Sequence, residues 1–443
     1  MLVSQYFDQS VRVDSVPASS VPDAIDAQAS TPVAVYARAL RGLRGKSKNI
    51  GDELDQLEFG RLVAETLTGV QTELQLPEGH FSVDTSGEPL LVTEGTGSHW
   101  VMPTNFENGA YFSTPHADHQ YGLTATQLPR IHIGRYVKFG KGAGVNAGGD
   151  IIIGDGSWLS PGSLLLRQDH TAYGRPSVGS RTVAMTRQPG IRMGEFSWVG
   201  RDAMVGWNCD YIGAGGIVGT RSFVNSWVGD HAIVGDHDRI LQYQPFKAFL
   251  ADRYHPTVEE TLRITDWHRI DEDWRVVYDR TRTSLRGPAF DPDLASWLRD
   301  SVGASYRALV VEPRSLSFLE LLDGARVDIA SSGTALTPYI LQWAMDHRNR
   351  RIRVRTDLDG ASLPLETSGN QHYLKNVGYD VIVYEYDESA TALPLTEIQR
   401  PLASGGLLIT DEAGAAESGV PDRLVEIKEI AFGGKSLKVF EKK

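Results

Sequence analysis

The chain reads as a multidomain protein: a parallel β-solenoid of hexapeptide repeats, an N-terminal helical cap before it and an open α/β domain after it. Three observations predict this. The first is a short apolar residue followed by a small one at six-residue spacing: Ile133-Gly134, Phe139-Gly140, Ile153-Gly154, Leu159-Ser160, then after a gap Met193-Gly194, Val199-Gly200, Val205-Gly206, Ile212-Gly213, Val218-Gly219 and Val234-Gly235. Hexapeptide periods mark parallel solenoids, whose apolar positions stack inward coil upon coil. A sandwich would instead recur every 8 to 12 residues or so. The second observation is a helical pattern over residues 35–75, with Leu54, Leu57, Leu62 and Val63 on one side. The third is a series of buried-strand runs alternating with helical ones from Tyr306 onward.

Each segment follows from its residues. Residues 1–34, rich in Ser, Ala, Pro, Val and Asp without a period, predict a loosely held arm. Residues 35–128 form a helical and mixed cap, because an open terminal coil exposes apolar core and unpaired strand edges. Within it His116 and His119 are spaced three apart off any helical pattern, which favours surface or acceptor-pocket lining over metal. The solenoid runs over 129–245, with a second small residue four places after each apolar one (Val137, Ala143, Ser157, Ser163, Ser197, Ala203, Cys209, Ser222) suited to a crowded turn. A helical connector spans 246–304. The α/β domain spans 305–443, with strand runs at Arg307, Ala325, Ile352, Asp380 and Gly406.

Composition narrows the function. At 443 residues the chain is too long for one core. A net charge of −12 argues against nucleic acid, whose neutralisation needs clustered Lys and Arg. No run approaches the roughly 18 apolar residues of a membrane span, and the N-terminus lacks a basic start with an apolar stretch, so a cytoplasmic protein is expected. The single cysteine, Cys209, excludes an intramolecular disulfide and a Cys-based zinc cage, and its place in a hexad predicts a buried structural thiol.

The hexad block Ile191-Arg-Met-Gly through Trp198-Val-Gly to Ile212-Gly-Ala-Gly resembles the hexapeptide-repeat acyltransferases. That resemblance implies a left-handed parallel β-helix, a homotrimer with sites between neighbouring subunits, and acetyl-CoA or another acyl-CoA as donor. The hexad rhythm breaks between Leu166 and Gly190, where Arg167-Gln-Asp169-His170-Thr opens a loop. The family's catalytic His lies at such a loop, which implies His170 as general base; a neutral imidazole suits that role near neutral pH. Asp169 would orient a ring or bind the acceptor, although neighbours on an extended chain point opposite ways. Trp198, Gly200, Ala203, Gly219 and Thr220 match the coils that hold the acyl-CoA arm, and Arg221 and Arg239 stand where the family's cations meet the nucleotide phosphates. Asp236-His237 replaces the family's Asn-Pro, which leaves room for an acyl-carrier protein as donor. His231 and His237, six apart, raise the solenoid carbonic anhydrases, but a third ligand of suitable spacing is missing and no metal is expected.

The stretch Ala325-Arg-Val-Asp328-Ile-Ala330-Ser-Ser332-Gly333-Thr334-Ala-Leu resembles the first strand and glycine loop of a class I S-adenosylmethionine-dependent methyltransferase, with Asp357 and Asp359 after the next strand. That resemblance implies a Rossmann-like domain with S-adenosylmethionine as cofactor. Three family glycines are replaced by Ala330, Ser332 and Thr334, and the interval from Asp359 to Tyr379 is short for the usual helix and third strand, so the domain reads as degenerate. The leading expectation is a CoA-dependent O- or N-acyltransferase acting on a sugar or small metabolite. A bifunctional acyltransferase and methyltransferase, and a non-catalytic binding or scaffold protein, stand as alternatives.

Overall fold

A computed structural model describes residues 32–47, 53–86, 90–94, 97–113 (except 102 and 108), 128–166 (except 147–148), 190–356 (except 207, 288–289, 291, 304 and 323), 378–384, 395–411, 420–432 and 435–443. Two compact units emerge. One comprises residues 1–212 and 218–227, the other 213–217 and 228–443.

In the first unit, very short strands fall in turn into three parallel sheets. Ile131–Ile133, Val137–Phe139 and Gly144–Asn146 are followed by Ile151–Ile153, Trp158–Leu159 and Leu164–Leu165, and then by Ile191–Met193, Trp198–Val199 and Met204–Val205. Ile131 pairs with Ile151, Trp158 with Lys138 and Trp198, and Leu164 with Gly144 and Met204. These nine strands therefore pair only in parallel, while Leu90–Glu94 and Gly97–Val101 form a separate antiparallel pair, and Ile133, Phe139, Val145, Ile153, Leu159, Leu165, Val199 and Val205 are all buried. The corners also bond to one another, as where the Gly140 amide donates to Leu159 and the Gly154 amide to Met193. The small residues are there because a corner packs onto its neighbour: a Cβ at Gly140 would lie 2.4 Å from the Pro161 nitrogen. Cys209 is a buried thiol, in no disulfide, that donates to the Tyr211 carbonyl at 3.4 Å.

Helices Pro32–Ser47 and Glu53–Glu73 cover the first strands. Tyr36 stacks on Phe81 at 5.4 Å, and Phe59 meets Phe106 edge-on, which in turn stacks on Phe139 at 4.5 Å. Such a lid removes apolar rings and strand ends from water.

The expected left-handed β-helix of hexapeptide repeats is corrected here. Partners along a sheet lie twenty residues apart (Ile131 and Ile151) and later nineteen (Met204 and Phe223), whereas three hexads would give about eighteen. In the sequence Val145 is followed by Ile153, the next buried apolar residue before a glycine, after eight residues and not six. Described strands fall into several separate sheets, and the α/β class is carried by the second unit's sheet. The physical reason is that an apolar residue followed by a small one specifies short strands and tight corners, which is a local demand. It specifies neither the length of a circuit nor its hand.

The second unit holds a seven-stranded, mostly parallel α/β sheet. In chain order its strands are Arg307–Val311, Arg326–Ala330, Ile352–Arg355, Tyr379–Tyr384, Leu402–Asp411, Leu424–Phe432 and Lys435–Lys442. Their spatial order is third, second, first, fourth, fifth, seventh, sixth, with the seventh antiparallel to its neighbours. The first five follow the doubly wound order. Arg326–Ala330, read from sequence as the first strand, is thus the second. Ile352–Arg355 is the third, which removes the apparent shortage of chain before Tyr379.

The sheet's outer strand is not left open. The Asp230 amide donates to the Val354 carbonyl at 2.8 Å, while the Tyr243 hydroxyl donates to the Ile352 carbonyl and accepts from the Ile352 amide. Helices Pro245–Tyr254, Trp267–Leu285 and Thr337–Asp346 meet around fully buried Trp274, whose indole donates to Gln342 and lies 5.1 Å from Phe249.

A charged cluster sits inside the sheet. Arg353 donates two bonds to Asp328, at 2.7 and 2.6 Å, and the Tyr379 hydroxyl donates a third at 2.9 Å. Burial raises the Asp328 pKa, but the Arg353 guanidinium and these bonds outweigh it and hold the carboxyl below its ordinary range. Removing one partner strands a buried charge. Asp328→Ala is expected to lower the stability of this unit by roughly 3–5 kcal/mol in urea titrations, and the double change Asp328→Leu with Arg353→Met to recover most of that loss.

Candidate functional site

Doubly wound sheets take ligands outside the carboxyl ends of their strands, where the strand order reverses. Here that is the gap between the first and fourth strands, beyond Val311 and Tyr384. Directly after Val311, Glu312 has φ 50°, unusual for a residue with a Cβ. Its amide donates to the Ala330 carbonyl, and its carboxylate accepts from the Ser332 amide at 2.8 Å and the Ser331 hydroxyl at 3.1 Å. The Gly333 amide donates to Ser331 Oγ, and the Thr334 hydroxyl donates to Asp252 at 2.8 Å. Two strand ends are therefore tied together by one half-buried carboxylate.

The residues do not fit a glycine-cradled adenosyl cofactor. The turn after the first strand reads Glu312-Pro313-Arg314-Ser315-Leu316, with no glycine and one residue lacking an amide hydrogen. The glycine-poor stretch flagged from sequence, Ala330 to Thr334, follows the second strand instead. Ser332 and Thr334 are exposed there, and the acceptors nearest them are already engaged. Asp357 and Asp359 lie outside the described residues. Glu312 was missed in sequence because its strand ends in Pro-Arg, not in a recognisable glycine turn.

The acyl-transfer residues fall in several places. Asp169 and His170 lie outside the described residues, as do His116 and His119. The two ends of their segment are anchored: the Leu166 amide donates to Val205, and Ile191 pairs with Ile151. Trp198 stands on an outer face, stacked on Trp158 at 5.3 Å and nearly parallel, with its indole nitrogen donating to Ser160 Oγ. Lys138 completes the row, 5.5 Å over the Trp158 ring. The Gly200 amide donates to Val218 and the Ala203 amide to Gly200, so both are engaged within the unit. Gly219, Thr220 and Arg221 form the next corner, where Arg221 has φ 58°, a largely exposed side chain and Asp202 3.9 Å away. Arg239 belongs to the second unit and is exposed, beyond the tight turn Asp236–Asp238.

No family model matches the chain, and no curated protein does. Solved structures match parts of it. AntD, an N-acyltransferase from Bacillus cereus solved with dTDP-4-amino-4,6-dideoxyglucose and coenzyme A, is 15% identical over 39% of this chain and 77% of its own, at a TM-score of 0.26. The putative methyltransferase yhhF from Escherichia coli is 14% identical over 34% of this chain and 84% of its own, at 0.27. A SAM-dependent methyltransferase from Aquifex aeolicus is 12% identical over 38% of this chain and 96% of its own, at 0.26.

The two histidines considered for metal have separate surroundings. His237 is exposed beside Asp236, at 3.4 Å. His231 has its Nδ1 buried against Gly215, and among the described residues no group of three His, Cys, Asp or Glu side chains could hold a metal ion. Burial, with Lys247 nearby, lowers the His231 pKa to about 3. The ring is neutral when folded but regains a pKa near 6.5 when unfolded, so its contribution is full above that value and is lost as pH falls toward 3. The stability of the second unit is expected to fall by up to about 1.4 kcal/mol per pH unit below 6.5 in urea titrations, with His231→Asn flattening that component.

Proposed function

We propose that the chain is an acyltransferase, moving an acetyl or other short acyl group from a CoA thioester, or from the same arm on a carrier protein, to a hydroxyl or amine of a sugar or small metabolite. One observation supports this above others. Strand pairing closes across the interruption, Ile151 to Ile191 and Ile153 to Met193, as if the residues between were spliced into a finished frame. Such an insertion is retained only if it does something the frame does not, and it carries the adjacent Asp169 and His170.

His170 takes the proton from the acceptor as its oxygen or nitrogen attacks the thioester carbonyl. The carbon–sulfur bond then breaks and the imidazolium returns the proton to the departing thiolate, so protons and electrons balance. Asp169 helps bind the acceptor. Trp198 offers a flat apolar wall, and Gly200, Ala203 and Gly219 let the pantetheine arm come close to the backbone by lacking bulk, since their neighbours already occupy the Gly200 and Ala203 amides. Thr220 and Arg221 meet the donor's phosphate end. Three copies of the chain would complete the grooves.

The unmatched turn at Glu312 supports no methyl transfer, and no step is assigned to the second unit. Two measurements check this reading. His170→Ala should lower single-turnover transfer from labelled acetyl-CoA into cell extract by about 10²–10⁴-fold without changing oligomer size, and near-normal turnover rejects the proposal. Calorimetric titration of the full chain with S-adenosylmethionine should give no saturable heat; tight binding weakened by Glu312→Gln would restore the bifunctional alternative.

A further inference from the structure

One corner of the first unit departs from its own rule. Nine of the ten apolar residues that mark the repeat are followed by glycine, and only Leu159 is followed by serine. Ser160 nevertheless fills a glycine's place: its amide donates to Val199 as the Gly140 amide donates to Leu159 and the Gly200 amide to Val218. A Cβ at Gly140 would lie 2.4 Å from the Pro161 nitrogen, and one at Gly200 2.6 Å from the Thr220 nitrogen, so at those two places a side chain is shut out. Ser160 is buried, and a buried hydroxyl has to be matched by a partner.

That partner comes from the outer face, where the Trp198 indole N–H donates to Ser160 Oγ at 2.6 Å. Trp158 and Trp198 are register partners, with rings 5.3 Å apart and 5° from parallel. Trp158 is 36% exposed and Trp198 half-buried, so the core does not set their rotamers. The row is tethered at its two ends instead. Lys138, 5.5 Å over the Trp158 ring, is paired with Glu107 at 2.9 Å, and Trp198 is held by Ser160. A serine in a column of glycines thus fixes one surface indole before anything binds.

We propose that Ser160 is a positioning residue of the donor site: it fixes the Trp198 indole as the wall along which the pantetheine arm of acyl-CoA lies. The inference rests on the acyl-transfer reading. An unheld ring on a two-residue strand would be ordered afresh at each binding event, and that ordering is subtracted from affinity. A ring already held by a hydrogen bond escapes the loss. Glycine at this place would supply no acceptor and leave the indole nitrogen to water.

Coenzyme A is the probe, titrated calorimetrically into the full chain. Ser160→Gly introduces the residue found at the same place in the neighbouring corners, so the variant fits the column. It should weaken coenzyme A binding about three- to ten-fold, the range expected for one hydrogen bond, and reduce the near-ultraviolet circular dichroism of the stacked indoles. In a Trp198→Phe background, which has no N–H for Ser160 to hold, the same change should shift affinity less than about two-fold, because the two residues act as one unit. Unchanged affinity in Ser160→Gly, or an equal loss in both backgrounds, overturns the positioning role and leaves the acyl-transfer reading in place. Absence of saturable coenzyme A binding by the parent chain overturns that reading and the inference with it.

Discussion

Strands of two or three residues cannot hold themselves together, and this constraint shapes the whole first unit. Each makes too few ladder bonds to offset the ordering of its backbone, so the corners must bond as well. They do: Gly134 bonds to Ile153, Gly156 to Arg135, Ser160 to Val199 and Gly206 to Val224, through backbone groups alone. Corners can come that close only where side chains are small, which is why glycine or serine follows the apolar residue so regularly. The outward positions are then free for other contacts, and Lys138, Trp158 and Trp198 form a row on the outer face, anchored where the Trp198 indole donates to buried Ser160.

The second unit solves a different problem. A sheet buried on both faces needs near-continuous apolar strands, as in Leu309, Val310, Val311, Ile382 and Leu408, yet its interior also contains Asp328, Arg353 and Tyr379. A buried pair of this kind is a poor source of net stability, because taking both charges out of water costs about as much as their attraction returns. Its effect is rather on register. Asp328 and Arg353 are direct cross-strand partners, so sliding the third strand by one residue would carry the guanidinium to the opposite face and leave two buried charges unmatched.

Much of this was legible in the residues and some was not. The apolar spacing announced buried positions such as Phe139, Leu159 and Val199 and the buried thiol of Cys209, because inward packing is a local property. The circuit length was not legible, since strand pairing twenty residues apart, as between Ile131 and Ile151, is a non-local property. In the second unit all five parallel strands were visible as apolar runs, but Arg326–Ala330 was ranked first because Ser-Ser-Gly-Thr imitates a glycine loop. Rank depends on which strands pair, and pairing is non-local. Glu312 went unnoticed for the same reason: its importance arises from Ser331 and Ser332, which meet it only across the sheet.

The carboxyl end of that sheet is tied by its own residues. There, where a doubly wound fold receives its ligand, Glu312 already accepts from Ser331 and Ser332, and Pro313 lacks an amide hydrogen. The ends of the first and second strands are stitched to each other. The tie runs from the end of the first strand to the end of the second, so a change at Glu312 is felt at Ser331 and Ser332 across the sheet.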